Sequence, residues 1–331
     1  MKGKKMAALA LAALFLTGAV GCSGGQTEPS AEGTGSANEK QEIVFADVGW
    51  DSIRLHNAVA GLVAEHVFGY SWVEVPGSTP ISHEALMKGE IDVHMEEWTD
   101  NLPDYQGDLE AGKFQELGIN YDDNAQAFYI PKYVADANPD LKTVKDLANH
   151  AELFPDPEDS AKAVIYGGIP GWSITEIMQK KVEAYGLSDR YNYVAPGSQA
   201  AMDATVVSAL DKQENIVFYY WEPTWLMGKY DFVLLEDEPY NADTFQQGIG
   251  ACPSVKVTVA VSNAFAQSNP AFCEFLSKYH TSSALTNEGL AHMQETKEDF
   301  VTTAKWLLNQ HPELIDQWLN EDQAEQLLAA L

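Results

Sequence analysis

The stretch Ile43-Val44-Phe45-Ala46-Asp47-Val48-Gly49-Trp50-Asp51-Ser52-Ile53 decides the fold class, because the hydrophobic period changes inside it. Ile43 to Val48 is an apolar run of strand length closed by Gly49. From Ser52 to His66 the apolar residues Ile53, Leu55, Val59, Leu62 and Val63 recur at helical spacing. Trp72 to Val75 then reads as a strand, His83 to Lys88 as a helix and Ile91 to Met95 as a strand. This βαβαβ alternation predicts an α/β fold with a mostly parallel sheet flanked by helices. Ligands of such sheets bind at the carboxyl ends of the strands, and Trp50 and Trp98 each follow one of these strands.

The same alternation returns further on. Val164 to Tyr166, Tyr191 to Val194 and Asn215 to Tyr220 read as strands, separated by helices over Ser173 to Tyr185 and Ala200 to Leu210. Val255 to Val261 is a further strand, and helical segments follow from Pro270 to Leu331. Residues 42–331 exceed what one core normally supports. The chain is therefore expected to build two lobes, residues 42–131 with 254–331 and residues 132–253. Two hinge strands are expected near Ile130 to Lys132 and Pro253 to Lys256.

Before the first strand the chain has a different character. Lys2, Lys4 and Lys5, an apolar run from Met6 to Val20 and small residues before Cys22 read as an export signal over residues 1–21. The run is too short for a bilayer span, which needs about 20 residues. Ala19-Val20-Gly21-Cys22 resembles the lipobox of bacterial lipoproteins, which implies a lipid on Cys22 and a membrane anchor. Residues 22–41 are rich in Gly, Ser, Thr, Glu and Asn and lack large apolar side chains, the composition of a tether.

The formal net charge is −29, from 49 acidic and 20 basic residues, which excludes a nucleic-acid partner and a basic membrane-binding surface. Cys252 and Cys273 remain once Cys22 is set aside, and their spacing shows no zinc or redox motif. Whether they form a disulfide depends on a Cα approach that sequence does not give.

Tryptophans carry the strongest site signal. Trp98 in Glu-Glu-Trp98-Thr-Asp-Asn, Trp172 in Ile-Pro-Gly-Trp172-Ser-Ile and Trp221 in Tyr-Tyr-Trp221-Glu-Pro-Thr-Trp225 each stand beside a turn or a helix start. A fully methylated ammonium has no N–H to donate, so a site that selects it uses indole faces. Three such rings suggest an aromatic cage, with core packing as the alternative for each. Tyr219 and Trp221 alternate on a strand and point to one face. Trp225 is either a fourth ring or a packing residue, and Trp50 either lines the cleft or supports it. Trp306 and Trp318, among leucines of the helical tail, are packing residues.

With these motifs in their order, the chain resembles the glycine betaine and proline betaine substrate-binding proteins of ABC importers. Gly49-Trp50-Asp51-Ser52, Gly89-Glu90-Ile91-Asp92 and Ala184-Tyr185-Gly186-Leu187 match as well. The resemblance implies a two-lobed periplasmic-binding-protein fold of type II character. It implies an aromatic prism at Trp98, Trp172 and Trp221, and a carboxylate held by backbone N–H groups at Ser173 and Ile174. It implies as partners a quaternary ammonium solute, an ABC permease and its ATPase, with a monomeric receptor and no cofactor. Where some relatives carry a carboxylate-binding His after the first cage Trp, this chain has Leu102. Glu97 or Glu222 would then face either a cation or water.

Other classes fare worse. Glu96 and Glu97 are strand neighbours on opposite faces and cannot flank one bond, so they are no hydrolase dyad. His94 and Glu96 share a face, but no metal-ligand cluster surrounds them in sequence, and no Gly-x-Ser-x-Gly elbow or phosphate loop occurs. A solute-sensing lipoprotein, or a receptor for choline or carnitine, would use the same cleft.

Overall fold

The computed structural model describes residues 41–331. The export signal expected over 1–21, the lipidation expected at Cys22 and the tether expected over 22–41, except its last residue, lie outside the described residues. The described chain forms two five-stranded sheets with helices on their faces.

The first sheet contains β1 (Glu42–Asp47), β2 (Ser71–Pro76), β3 (Val93–Trp98) and β4 (Phe114–Tyr121), together with a late strand, β10 (Val257–Ser262). Helix α1 (Asp51–His66) connects β1 to β2, α2 (Thr79–Lys88) connects β2 to β3, and α3 (Tyr105–Glu110) precedes β4. The second sheet contains β5 (Gln126–Pro131), β6 (Ala163–Tyr166), β7 (Tyr191–Val194), β8 (Phe218–Trp221) and β9 (Phe232–Leu234). Helix α4 (Lys132–Ala137) follows β5, α5 (Ser173–Ala184) joins β6 to β7, and α6 (Gln199–Lys212) joins β7 to β8.

The strand orders β2-β1-β3-β10-β4 and β7-β6-β8-β5-β9 are the same topology written twice. In each sheet the first three strands pair in parallel, and the fourth pairs antiparallel with both its neighbours. One strand in five is thus reversed, β10 in one sheet and β5 in the other. Each reversed strand is the one laid down just after the chain has crossed from the opposite lobe. All six residues of β10 are buried, and its sequence Val-Thr-Val-Ala-Val-Ser is the near-continuous apolar run expected of a strand covered on both faces.

The first crossing differs from the expected boundary. β5 is an interior strand of the second sheet, so the chain leaves the first lobe between Tyr121 and Gln126, ahead of the hinge expected at Ile130 to Lys132. The return runs through Ala251 to Lys256. Asn124 clamps the two crossings together: its Nδ2 donates to the Val255 carbonyl at 2.5 Å, and its Oδ1 accepts from the Val255 N–H at 3.0 Å.

β4 carries no clear sequence signal, because Phe114-Gln-Glu-Leu-Gly-Ile-Asn-Tyr121 is an edge strand with consecutive exposed polar residues and no period of two. Inside α1, Gly61 is needed because a Cβ there would run into the Trp72 indole laid across it.

Candidate functional site

The duplicated topology places tryptophans at matching points of the two lobes. Trp50 is the N-cap residue of α1, which follows the first lobe's central parallel strand, and Trp172 is the N-cap residue of α5, which follows the second lobe's. Trp98 and Trp221 are the last residues of β3 and β8, each pairing with its sheet's reversed strand (Trp98 with Val257, Trp221 with Gln126). Each lobe thus offers one helix-entry indole and one strand-end indole at the carboxyl edge of its sheet, where ligands of such sheets bind.

These four indoles line one cavity together with Thr79, Asn101, Gln126, Ser173, Ile174 and Tyr219. The space between their atoms is ≈330 Å³, part of it open to solvent. Trp172 is the central ring. It meets Trp50 edge-to-face at a centroid separation of 5.4 Å and Trp221 at 4.9 Å. Tyr219 stacks along Trp221 at 6.2 Å with planes 17° apart. The wall so built is largely aromatic and carries no charged side chain.

The charge lies one layer behind. Glu96, wholly buried, accepts from Trp50 Nε1 at 2.5 Å, from Ser52 Oγ at 3.0 Å and from Trp98 Nε1 at 3.5 Å, all on Oε2. Burial pushes its carboxyl up to about 7, against the opposing pull of these donors. His56 Nε2 is 3.4 Å from Oε1, but burial pushes that imidazole down to about 3, so it stays neutral beside the carboxylate. At the matching position of the second lobe, two residues before Trp221, stands Tyr219, a neutral phenol donating to Gln126 Oε1 at 3.1 Å.

The helix starts differ too. The first N–H of α1 is taken, since Asp51 N donates to Gln199 Oε1 of the other lobe at 2.8 Å. Ser173 and Ile174, the first residues of the 12-residue α5, line the cavity with N–H groups that have no intrahelical acceptor. That end carries partial positive charge and suits an oxygen or a carboxylate. Asn101 and Gln126, buried and bonded to each other at 3.2 Å, sit at the cavity as adjustable polar groups.

Several bonds cross the cleft. Trp172 Nε1 donates to the Val48 carbonyl at 2.9 Å, Thr79 N to the Gly171 carbonyl at 3.0 Å and Gln246 Nε2 to the Asp100 carbonyl at 3.0 Å. Gly171, at φ +94°, also lets the lobes approach, because a Cβ there would lie 3.0 Å from Ser78 Cβ. The lobes are closed on one another.

Of the eight ligand-binding candidates, Trp98, Trp172, Trp221, Ser173, Ile174, Trp50 and Tyr219 come together at this cavity. Trp225 does not: its indole N–H donates to Asp203 at 2.9 Å inside the second lobe, because it opens a new helical turn after the strand has ended. Glu97 faces neither the cavity nor water: it is fully buried on the opposite side of β3 from Glu96, with Oε1 2.9 Å from His83 Nδ1, whose pKa is raised, against the lowering effect of burial, in part by this carboxylate. Leu102 is buried beside the site without lining this cavity. Cys252 and Cys273 are free thiols. Thr79, Asn101, Gln126 and Glu96 were missed as site residues; the only signal was the proximity of Glu96 and Asn101 to Trp98 in sequence. Among the described residues no group of three or more His, Cys, Asp or Glu is placed to hold a metal ion, and no helix is long and apolar enough to cross a membrane.

Two α/β lobes closed over an aromatic cleft define a solute-binding protein of the periplasmic-binding class. More particularly, residues 41–310 match the substrate-binding domain of ABC-type glycine betaine transport systems, and the chain belongs to that family of transport components. It is 26% identical over 238 residues to the glycine betaine-binding periplasmic protein OusX of Dickeya dadantii, covering 66% of this chain and 71% of that one. It is 24% identical over 285 residues to the trimethylamine N-oxide-binding protein of Pelagibacter ubique, covering 82% and 89%. In fold it is similar to an ABC-transporter choline-binding protein solved with choline, at a TM-score of 0.72, 22% identity and coverage of 87% and 97%. It is likewise similar to lactococcal OpuAC solved closed with glycine betaine, at a TM-score of 0.67, 19% identity and coverage of 84% and 99%.

Proposed function

We propose that this protein is the extracytoplasmic receptor of an ABC importer, capturing a quaternary ammonium solute of the glycine betaine or choline type. The observation that carries the reading is the convergence of four indoles, two from each lobe at matching topological positions, on one cavity with no charged wall residue. Trp50, Trp98, Trp172 and Trp221 receive the methylated head on their ring faces. The Ser173 and Ile174 N–H groups, with Asn101, Gln126 and Thr79, receive the oxygen-bearing end.

The receptor performs no chemistry. It acts as a monomer, held at the membrane by a lipid on Cys22 after removal of residues 1–21, and presents its closed form to a permease driven by a cytoplasmic ATPase. Cage contacts and charge-assisted hydrogen bonds less the cost of ordering leave a net near −8 kcal/mol, roughly micromolar binding. Calorimetric titration with glycine betaine and with choline tests the reading. Saturable binding of at least one, near the micromolar range, is expected; no heat and no tryptophan fluorescence change with either would remove it.

A further inference from the structure

We infer that Glu96 is the counter-charge of the bound ammonium and that it biases the cavity toward solutes of net positive charge over zwitterions. The inference deepens the receptor reading and rests on it. Glu96 is fully buried and has no cation beside it: its Oε2 partners are the two indole N–H groups and the Ser52 hydroxyl, all neutral. Oε1 has no hydrogen-bond partner among the described residues. The ionisable groups that face it are His56 from α1, kept neutral by burial, and the phenols Tyr121 from β4 and Tyr279, both raised by burial. A buried carboxylate without a paired cation is costly, and such groups persist where something compensates them. Among the described residues, the two indoles whose N–H groups Glu96 holds also line the cavity, so a positive charge in the cavity lies just across them from the carboxylate.

Two physical effects act in the same direction. The carboxylate attracts a cation across one indole, in surroundings where charges interact several times more strongly than in water. Accepting both indole N–H groups also pushes electron density onto the ring faces, which strengthens their attraction for a cation. A zwitterion gains less, because its own carboxylate is repelled by Glu96 wherever in the small cavity it sits. The second lobe supplies the internal contrast: the matching position holds Tyr219, which carries no charge and lines the wall itself. Only one of the two duplicated strand ends was given an acid.

The test is calorimetry on wild type and Glu96→Gln with choline, glycine betaine and dimethylbutanol, the uncharged carbon isostere of choline. Glu96→Gln keeps a hydrogen-bond acceptor for the indoles and removes the charge. Choline affinity is expected to fall tenfold or more and glycine betaine threefold or less, with the isostere unchanged. Equal losses for all three, or an unchanged choline-to-betaine ratio, would overturn the inference while leaving the receptor reading intact. Failure of wild type to bind either ammonium would overturn both. Should Glu96→Gln not fold, wild type alone decides: near pH 7, choline binding measured in buffers of different ionisation enthalpy is expected to release protons, and zero release contradicts the inference.

Discussion

The two lobes build their halves of the cage from the same parts and hold them differently. In the first lobe the helix-entry indole Trp50 and the strand-end indole Trp98 both donate to Glu96 of their own lobe. In the second lobe the helix-entry indole Trp172 donates across the cleft, to the Val48 carbonyl. The first wall is therefore preorganised by contacts that survive opening, whereas Trp172 gains its anchor only on closure. Preorganisation lowers the cost of binding, and a ring locked by closure couples binding to the closed shape that a permease can recognise. The charge asymmetry follows the same division, with an acid behind the first wall and an open helix start in the second.

The largest expected effect concerns the buried acid in the unliganded protein. The carboxyl of Glu96 is raised from 4.5 to about 7, so its contribution to stability is fully present below pH 4.5 and is lost as pH rises through 7. Wild type should therefore lose up to about 3 kcal/mol relative to Glu96→Gln between pH 5 and 8. Urea unfolding of both proteins across that range checks it; parallel curves would show that the first lobe's acid is not perturbed. Next, Trp172→Ala removes a cage face and the cross-cleft bond together and should weaken ligand binding by about 2 kcal/mol, some 30-fold, measured by calorimetry. Trp172→Phe sharpens the comparison, because it keeps an aromatic face and loses only the bond to Val48, so its smaller loss should appear as faster dissociation in stopped-flow fluorescence. The smallest effect is expected from Gln199→Ala, which frees the Asp51 N–H at the cleft edge and should cost about 1 kcal/mol of affinity.

Much of this arrangement was legible in the chain. The period change after Val48 placed the β1–α1 junction, and with it Trp50, at the carboxyl edge of a sheet, where the structure puts it. The Pro170-Gly171-Trp172-Ser173 turn announced a helix start, and α5 begins at Ser173. What stayed hidden depended on pairing between distant segments. β4 and β9 are edge strands without a clean hydrophobic period, and β5 reads as any apolar strand, so nothing local says which sheet it joins. Trp225 and Trp221 are alike in sequence, and only the end of β8 after Trp221 separates a cage ring from a packing ring. Glu96 was visible as one of an alternating pair, but its lack of a cationic partner is a property of the folded neighbourhood.

The most direct test of the closed four-indole cage is a crystal structure of the protein grown with choline or glycine betaine. The account predicts the ammonium nitrogen within about 6 Å of the ring centroids of Trp50, Trp98, Trp172 and Trp221, with the oxygen-bearing end at the α5 start. A solute bound elsewhere, or bound with its ammonium turned away from these rings, would contradict it.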